Sequence, residues 1–292
     1  MRTFRSIAPL VVLFVALLVK IGCMEILPPG HAVETNQESL SPSMNNSAAA
    51  SFNNPYDFVG KLHNDGLRFA LEYLRAQVNE RASQHPEELP GEAKNSIRIY
   101  FKEKNLAVSE EGLQKGENIG KNYFVHLSKN RDPLLFVDSV INQAGYTPKQ
   151  IVYMKRIARA DGKNQNLESF KRSLSELNQR ASEELGEEDS RPVLIFSAIL
   201  ENSGEYWSKH GSEWKGLRQG RLSPGSLNKS SVESMCDFNW LRIGAVDAIG
   251  ASSAGLGCLV TTIAYFDCVA IAALAASLTE ASYQLLNCWG LL

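Results

Sequence analysis

The polar side chains best suited to chemistry are concentrated near residue 60. Asp57, His63, Asn64 and Asp65 lie within nine residues, shortly after Asn54-Pro55. A histidine partnered by a carboxylate could act as a general base or as a ligand. The same residues could instead form a capped, hydrogen-bonded turn that positions the first helix. Such turns are more common than catalytic sites, so the sequence favours the structural interpretation.

A second pair of carboxylates lies later in the chain. Glu201 and Glu205 are four residues apart, so they share one face of a helix. Two carboxyl groups in different surroundings can divide the acid and base steps of a hydrolysis. Pairs at this spacing far more often lie on a solvated helix face. A hydrolase of unknown substrate is therefore the least favoured of three functional hypotheses.

The charge of the chain argues against a nucleic-acid partner. Its 30 Lys and Arg residues are balanced by 32 Asp and Glu residues, whereas nucleic-acid-binding domains normally have a basic excess. Basic and aromatic side chains do alternate in one stretch, which could bind an anionic polymer or a lipid surface. A basic loop is the commoner explanation for such a stretch. Its residues are Trp207, Lys209, Trp214, Lys215, Arg218 and Arg221.

The sequence contains no motif for a cofactor or a metal ion. None of the five histidines belongs to a His-Glu-x-x-His pair, and no Gly-x-x-x-x-Gly-Lys phosphate loop occurs. Gly255-Leu256-Gly257 lacks the third glycine of a dinucleotide-binding fingerprint. A Gly-x-Ser-x-Gly nucleophile elbow is also absent. We therefore expect no cofactor and no metal site.

The first 23 residues have the layout of a secretory signal. Two arginines precede an apolar run of 13 residues, Ile7–Val19, which is shorter than the ~20 residues of a membrane-spanning helix. Gly22-Cys23 is typical of a bacterial lipoprotein signal, although Lys20 stands where leucine is usual. Cleavage after Ala32 would instead release a soluble protein, and an uncleaved anchor is a third alternative. The sequence favours lipidation of Cys23 and a location in the cell envelope.

Composition divides the rest of the chain into four parts. Residues 24–53 are polar and lack hydrophobic periodicity, which predicts a flexible linker. Residues 54–207 hold most of the charges and form a helical body. Residues 208–235 are rich in Gly, Ser and Lys, which predicts a loop or linker. Residues 236–292 hold only five of the 62 charged side chains and form an apolar segment rich in Ala, Gly and Cys.

The body shows helical periodicity and no good run of alternating polar and apolar residues, so we expect an all-α fold of six or seven helices. Helix starts are predicted at Asn54-Pro55, Asp132-Pro133, Thr147-Pro148 and Arg191-Pro192, where a proline suits the first turn. The clearest amphipathic helix has apolar residues three or four positions apart. These residues are Leu167, Phe170, Leu174, Leu177, Ala181 and Leu185.

The apolar segment predicts a helical hairpin packed on this body. Gly244, Ala248 and Ser252 are four residues apart, a spacing that lets two helix backbones approach closely. A buried core hairpin is the favoured interpretation, because small residues outnumber large apolar ones. Insertion into a membrane and a self-association surface are the alternatives, since the uncharged run 248–266 has 19 residues.

The cysteines suggest disulfides without specifying their pairing. If Cys23 is lipidated, Cys236, Cys258, Cys268 and Cys288 remain, all in the apolar segment. An oxidising compartment would permit disulfides, and four cysteines can pair in three ways. Buried free thiols are an equally good interpretation. The spacings match no structural zinc motif.

Three stretches of the chain carry recognisable patterns. The first, Asn54–Leu67, reads Asn-Pro-Tyr-Asp, then Gly, then His-Asn-x-Gly-Leu, and the second, Ser203–Trp207, is a Ser-x-x-Tyr-Trp element. The third, Asp247–Gly255, is a Gly/Ala-rich stretch. The three stretches resemble a group of uncharacterised exported proteins from bacteria of the Bacteroidetes type, in which the closing tail has more glycine. The resemblance implies an exported, mostly helical protein and no particular activity.

Together these features favour a lipid-anchored, non-enzymatic interaction protein of the cell envelope. Its partner would be an unidentified protein or another envelope component, and its membrane association would come from the lipid anchor. A secreted, membrane-active or toxin-like protein that inserts its C-terminal hairpin is the second hypothesis. The hydrolase is the third.

Overall fold

Helices make up almost all of the backbone that the structure, a computed structural model, describes. Eight helices and no strand occur within these residues, which confirms the predicted all-α class. The predicted signal and linker, together with Cys236 and Cys258, lie outside the described residues, and the side chain of Cys288 is not described. The described ranges are 52–80, 88–129, 132–160, 167–217, 240–255 and 265–288.

The helices are numbered here in chain order. They are α1 (Asp57–Glu80), α2 (Leu89–Glu103), α3 (Glu110–Ser128), α4 (Pro133–Gln143), α5 (Pro148–Ala160), α6 (Leu167–Lys215), α7 (Trp240–Gly255) and α8 (Tyr265–Cys288). Polar side chains cap several of their first turns. Asp132 Oδ1 accepts a hydrogen bond of 2.9 Å from the Leu134 N–H at the start of α4. The predicted starts of α4 and α5, each with a proline at its first position, are confirmed.

The last helix, α8, fills the centre of the bundle. It packs along α3 and α7 and also contacts α1 and α2. Every residue from 268 to 282 is buried. A helix enclosed on all sides has no solvated face, so its apolar residues show no amphipathic stripe. The apolar C-terminal segment therefore supplies the core around which the charged helices pack.

Three glycines on α3 let α8 approach at backbone distance. Gly112, Gly116 and Gly120 are spaced four residues apart along the face of α3 that meets α8. A Cβ atom at Gly116 would lie 2.2 Å from the Ala272 carbonyl oxygen, and one at Gly120 would lie 2.5 Å from that of Ala276. Both positions therefore require glycine. This row of glycines on α3 was not predicted, although its spacing is visible in the sequence.

The small residues of α7 meet different neighbouring helices. Gly250 faces α8, since a Cβ atom there would lie 2.7 Å from the Ala272 oxygen. Gly244 instead faces α6, where a Cβ atom would lie 3.5 Å from the Gly204 nitrogen. Ala248 packs in a separate apolar cluster. The small residues of α7 therefore face several helices, because α7 is enclosed by α3, α4, α6 and α8.

Two apolar clusters share α6 and α7. One surrounds α8 and contains buried residues of α1, α2 and α3. The other joins α4, α5 and the first part of α6 around Met154, Ile157 and Phe170. On α7, Val246 belongs to the first cluster and Ile249 to the second. These two helices therefore connect the cores.

Helix α6 differs from the prediction at two points. It is interrupted at Gly186, whose φ of 77° and ψ of 177° are essentially restricted to glycine. The helix that follows is thus already formed before Arg191-Pro192, the predicted start. It also continues to Lys215, whereas the sequence predicts a loop from residue 208 onwards. Gly211 and Trp214 extend its buried stripe and explain the continuation.

Candidate functional site

The polar motif near residue 60 fastens α1 to α6. The Asn54 side chain donates a hydrogen bond of 2.8 Å to the Leu194 carbonyl oxygen. The Asn64 side chain donates one of 2.8 Å to the carbonyl oxygen of Asn202. Both acceptors lie on α6, about two turns apart, so the two asparagines hold that helix at two points. Their amide groups have a structural role in this arrangement.

Asp57 completes this junction. Asn202 Nδ2 donates a hydrogen bond of 2.8 Å to Asp57 Oδ1, and Lys61 Nζ lies 2.7 Å from Asp57 Oδ2. Burial raises the pKa of Asp57, but the hydrogen bonds from Lys61 and Asn202 outweigh it and hold the pKa below its usual value. Gly60 allows the two backbones to meet, because a Cβ atom there would lie 2.4 Å from the Ala198 oxygen.

His63 points from α1 into the interior. Its side chain is fully buried, with Nδ1 3.2 Å from Asn64 Oδ1 and Nε2 3.5 Å from Asp247 Oδ2. Burial disfavours the imidazolium and lowers the pKa of His63 to about 4, although the Asn64 hydrogen bond acts in the opposite direction. The imidazole is therefore neutral near pH 7.

Asp247 is the centre of this buried polar cluster. Its carboxyl group is fully buried on α7 and accepts a hydrogen bond from the Ser203 hydroxyl. Burial raises the pKa of Asp247 to about 8, while hydrogen bonds from Ser203, Ser277 and Trp207 act to lower it. Glu280, buried on α8, raises it further. The carboxyl group is therefore mainly protonated near pH 7.

The cluster contains serine, histidine and aspartate but not in the order of a nucleophilic triad. In such a triad the histidine receives the serine proton and the aspartate orients the histidine. Here Ser203 donates to the carboxyl group of Asp247, and His63 approaches that same carboxyl group. All three side chains are buried, with at most 1% of each residue exposed. This arrangement does not present a nucleophile to a substrate at the surface.

Asp65 lies apart from the other motif residues. It forms an exposed ion pair with Arg68, one turn further along α1. Both residues line a surface cleft of about 290 Å³ between α1 and α2, with Tyr100 and Lys104 on its other side. The structure thus brings Asp57 and Asn64 together at Asn202. It places His63 beside Asn64 and Asp247, and it leaves Asp65 apart from them.

Glu201 and Glu205 occupy one face of α6, as their spacing predicts. Burial raises the pKa of Glu201, and the nearby Lys171 acts to lower it. Hydrogen bonds from Lys171 and Lys209 lower the pKa of Glu205. The two carboxyl groups therefore differ in protonation tendency, but Glu205 is held between two ammonium groups. This is the arrangement of a surface ion-pair cluster.

The aromatic residues of the predicted anion-binding stretch are internal. Trp207 is 2% exposed and Trp214 is fully buried, where its indole N–H donates a hydrogen bond of 3.1 Å to Tyr206. Arg218 and Arg221 lie outside the described residues. The two indole rings therefore cannot stack on a ligand in this conformation.

Cys268 is disulfide-bonded at the start of α8. Its Sγ atom lies 3.3 Å from the hydroxyl oxygen of Ser109, the residue that caps α3. Of the other three candidate disulfide cysteines no side chain is described. The cross-link adds a covalent constraint close to the point where α8 enters the core.

Several members of the buried cluster were not identified from the sequence. Ser203, Asp247, Ser277 and Glu280 come from three helices that meet only in the folded chain. Two of them carry a visible signal, since Asp247 and Glu280 are isolated charges in the apolar segment.

Among the described residues no group of three His, Cys, Asp or Glu side chains could hold a metal ion. No protein-family model, curated protein or solved structure matches this chain.

Proposed function

We propose that this chain is an exported, lipid-anchored protein of the cell envelope that acts by binding a partner rather than by catalysis. The observation that carries the proposal is the complete burial of His63 and Asp247 against each other. Those side chains would be the strongest catalytic candidates if a substrate could reach them. Asn54, Asp57 and Asn64 are likewise engaged in fastening helices. The polar residues near position 60 are thus explained by their role in holding the helices together.

The sequence supports the anchor. Gly22-Cys23 follows a short apolar run, and residues 24–53 have the composition of a flexible tether. A tether of about 30 residues has a mean end-to-end distance of roughly 30 Å. The helical bundle would then be held close to a membrane. That geometry suits a protein that meets another component of the envelope.

The anchor is tested by the intact mass of the protein from its native host, combined with cell fractionation. The expected result is a diacylated or triacylated chain that begins at Cys23 and is found in the membrane fraction. Cys23→Ser is the matched control and should move the protein to the soluble fraction. An unmodified chain that begins at Val33, recovered in the medium, would contradict the anchor.

The non-catalytic part of the proposal needs a separate comparison. In any assay in which loss of the gene has an effect, Glu201→Gln and Glu205→Gln should behave as the wild type. Cys23→Ser should lose function, because it removes the protein from its site of action. Loss of function in the two glutamine variants with retained thermal stability would instead indicate a catalytic pair on α6.

One observation favours a second candidate, a membrane-active protein. Among the described residues, Tyr265–Asn287 of α8 is long and apolar enough to cross a membrane, and 89% of its apolar window is buried in the bundle. A core helix of a water-soluble protein has the same properties. The glycines of α3 also fit α8 at backbone distance, which supports a permanent place in the core.

The second candidate predicts dye release from lipid vesicles. Protease treatment of the vesicle-bound protein should then leave a protected fragment that contains Tyr265–Asn287. Retained dye together with complete digestion of that segment, measured from pH 4 to pH 8, would exclude the membrane-active hypothesis.

A further inference from the structure

Four aromatic residues meet where α1 and α8 begin. Phe266 lies at the centre, with ring centroids 5.9 Å from Tyr56, 5.1 Å from Phe58 and 5.3 Å from Tyr265. The Phe58 and Tyr265 rings meet Phe266 edge-on. Such contacts stabilise a cluster beyond the apolar area it buries. We call these four residues the aromatic end.

The aromatic end is partly open to solvent. Phe58 is 49% exposed, and Tyr56 and Phe266 are partly buried. An exposed phenylalanine in an aromatic cluster differs from a single apolar residue on a charged surface, because neighbouring rings extend the apolar area. Tyr265 is buried and supports the cluster from within.

The position of the aromatic end along the chain indicates what covers it. Tyr56 lies four residues after Phe52, where the described structure begins and the linker to Cys23 ends. Four residues span at most about 14 Å. An anchored chain therefore brings this end of the bundle nearest to the lipid. We propose that the aromatic end docks on the lipid surface of the membrane; this orientation deepens the anchored function proposed above and rests on it.

The charges around the aromatic end favour uncharged lipid. Asp57 and Lys61 pair with each other on the first turns of α1. Asp267 follows Phe266, and burial raises the pKa of its carboxyl group. Arg191 lies near Tyr265. These charges nearly cancel, so docking occurs through aromatic side chains at the lipid–water interface, where such rings are favoured. Its strength should depend little on salt.

The test measures binding of the mature chain without acyl groups, residues 24–292, to vesicles of phosphatidylcholine, since the apolar run Ile7–Val19 of the signal would itself bind lipid. This chain lacks the acyl groups, so the outcome does not depend on whether Cys23 is lipidated in the host. Phe58→Ser should weaken vesicle binding roughly three- to ten-fold, as expected for an aromatic side chain that is half exposed beforehand. The binding should persist at high salt.

Leu135→Ser is the matched control. Leu135 is 60% exposed, more than Phe58, and lies at the start of α4. Helix α3 has 19 residues and is about 28 Å long. Its first turn lies beside α8, whereas Leu135 follows its opposite end. Leu135→Ser should leave vesicle binding unchanged. An equal loss in both variants would mean that binding is not localised and would overturn the proposal.

A conservative variant keeps the test independent of folding defects. Phe58→Trp should retain vesicle binding, and the fluorescence of its added indole should be quenched by brominated lipid. Absence of vesicle binding by the parent chain, or an added indole that brominated lipid does not quench, would overturn the proposal. Two other occupants of the aromatic end would give different results. If the uncharged segment 256–264 covers it, the parent chain should not bind vesicles. If a second copy of the chain covers it, the parent chain should be a dimer and Phe58→Ser a monomer.

Discussion

The residues at the centre of the cluster form a neutral acid–base pair. His63 and Asp247 lie 3.5 Å apart with no exposure, and each pKa is displaced towards the neutral form. Burying a charge without full compensation is costly, so neutrality is the expected state. The unfolded chain has no such constraint. The two residues therefore couple stability to pH with opposite signs.

Asp247→Asn should remove a loss of wild-type stability that occurs between pH 4 and pH 8. The pKa of Asp247 is 3.8 in the unfolded reference and about 8 in the fold. Between those values the unfolded chain binds fewer protons, so wild-type stability decreases with pH by up to about 1.4 kcal/mol per unit. The free energy of unfolding of Asp247→Asn minus that of the wild type should therefore rise from pH 4 to pH 8. Urea titrations at several pH values measure it.

His63→Phe is the complementary variant. The pKa of His63 falls from 6.5 to about 4 on folding. Between those values the unfolded chain binds more protons, so the wild-type contribution to stability rises with pH. The free energy of unfolding of His63→Phe relative to the wild type should fall between pH 4 and pH 6.5 and stay level above it. Differences independent of pH in both variants would mean that folding shifts neither pKa.

At the scale of helices, the close contact between α3 and α8 depends on the absence of a side chain. Gly116→Ala would place a methyl group 2.2 Å from the Ala272 oxygen. Backbones must then separate, and overpacking of this kind costs about 1–3 kcal/mol or more. We expect Gly116→Ala to lower the free energy of unfolding by at least that amount in urea denaturation.

Gly91→Ala is the matched control for that variant. Gly91 is also a helical glycine, on α2, but a Cβ atom there meets nothing within 4 Å. Alanine restricts the unfolded chain and favours the helix, so the variant should gain about 0.4–1 kcal/mol. The same substitution should thus have opposite signs on α2 and α3. Similar effects at both sites would show that α8 does not lie against Gly116.

The sequence predicts the amphipathic helices better than the central one. In α6, Phe170, Leu174 and Ala181 repeat at helical spacing because one face is buried and the other is solvated. In α8, residues are buried on every side of the helix, so its apolar residues show no helical periodicity. The sequence therefore indicates this helix poorly and does not indicate which helices pack against it. The contacts that assemble the cluster around Asp247 join residues 30 positions or more apart, such as Asp247 with Ser277 and His63 with Asp247, which local spacing cannot predict.

Across the whole molecule, two apolar clusters are joined by shared helices. Val246 and Ile249 of α7 lie in different clusters, as do Ile195 and Phe196 of α6. Loss of packing in one cluster therefore disturbs a helix that supports the other. A structure connected in this way should unfold as one cooperative unit.

Ile157→Val tests that cooperativity. Ile157 is fully buried in the second cluster, and loss of one methyl group should cost about 0.5–1.5 kcal/mol. Trp207 and Trp214 belong to the first cluster and report on it by fluorescence. Their transition in urea should shift by the same free energy as the transition in helical circular dichroism. An unchanged fluorescence transition would show that the clusters unfold separately.

The central position of α8 has a consequence for biogenesis. α8 is the last described helix to be synthesised, yet α1, α2, α3 and α7 all pack on it. Helices α1, α2 and α3 emerge from the ribosome earlier and then lack the α8 surface on which they pack. Native contacts of such long sequence separation form late. Under the export proposed above, a nascent chain of this design would stay unfolded, and so competent for translocation, until nearly all of it has been made.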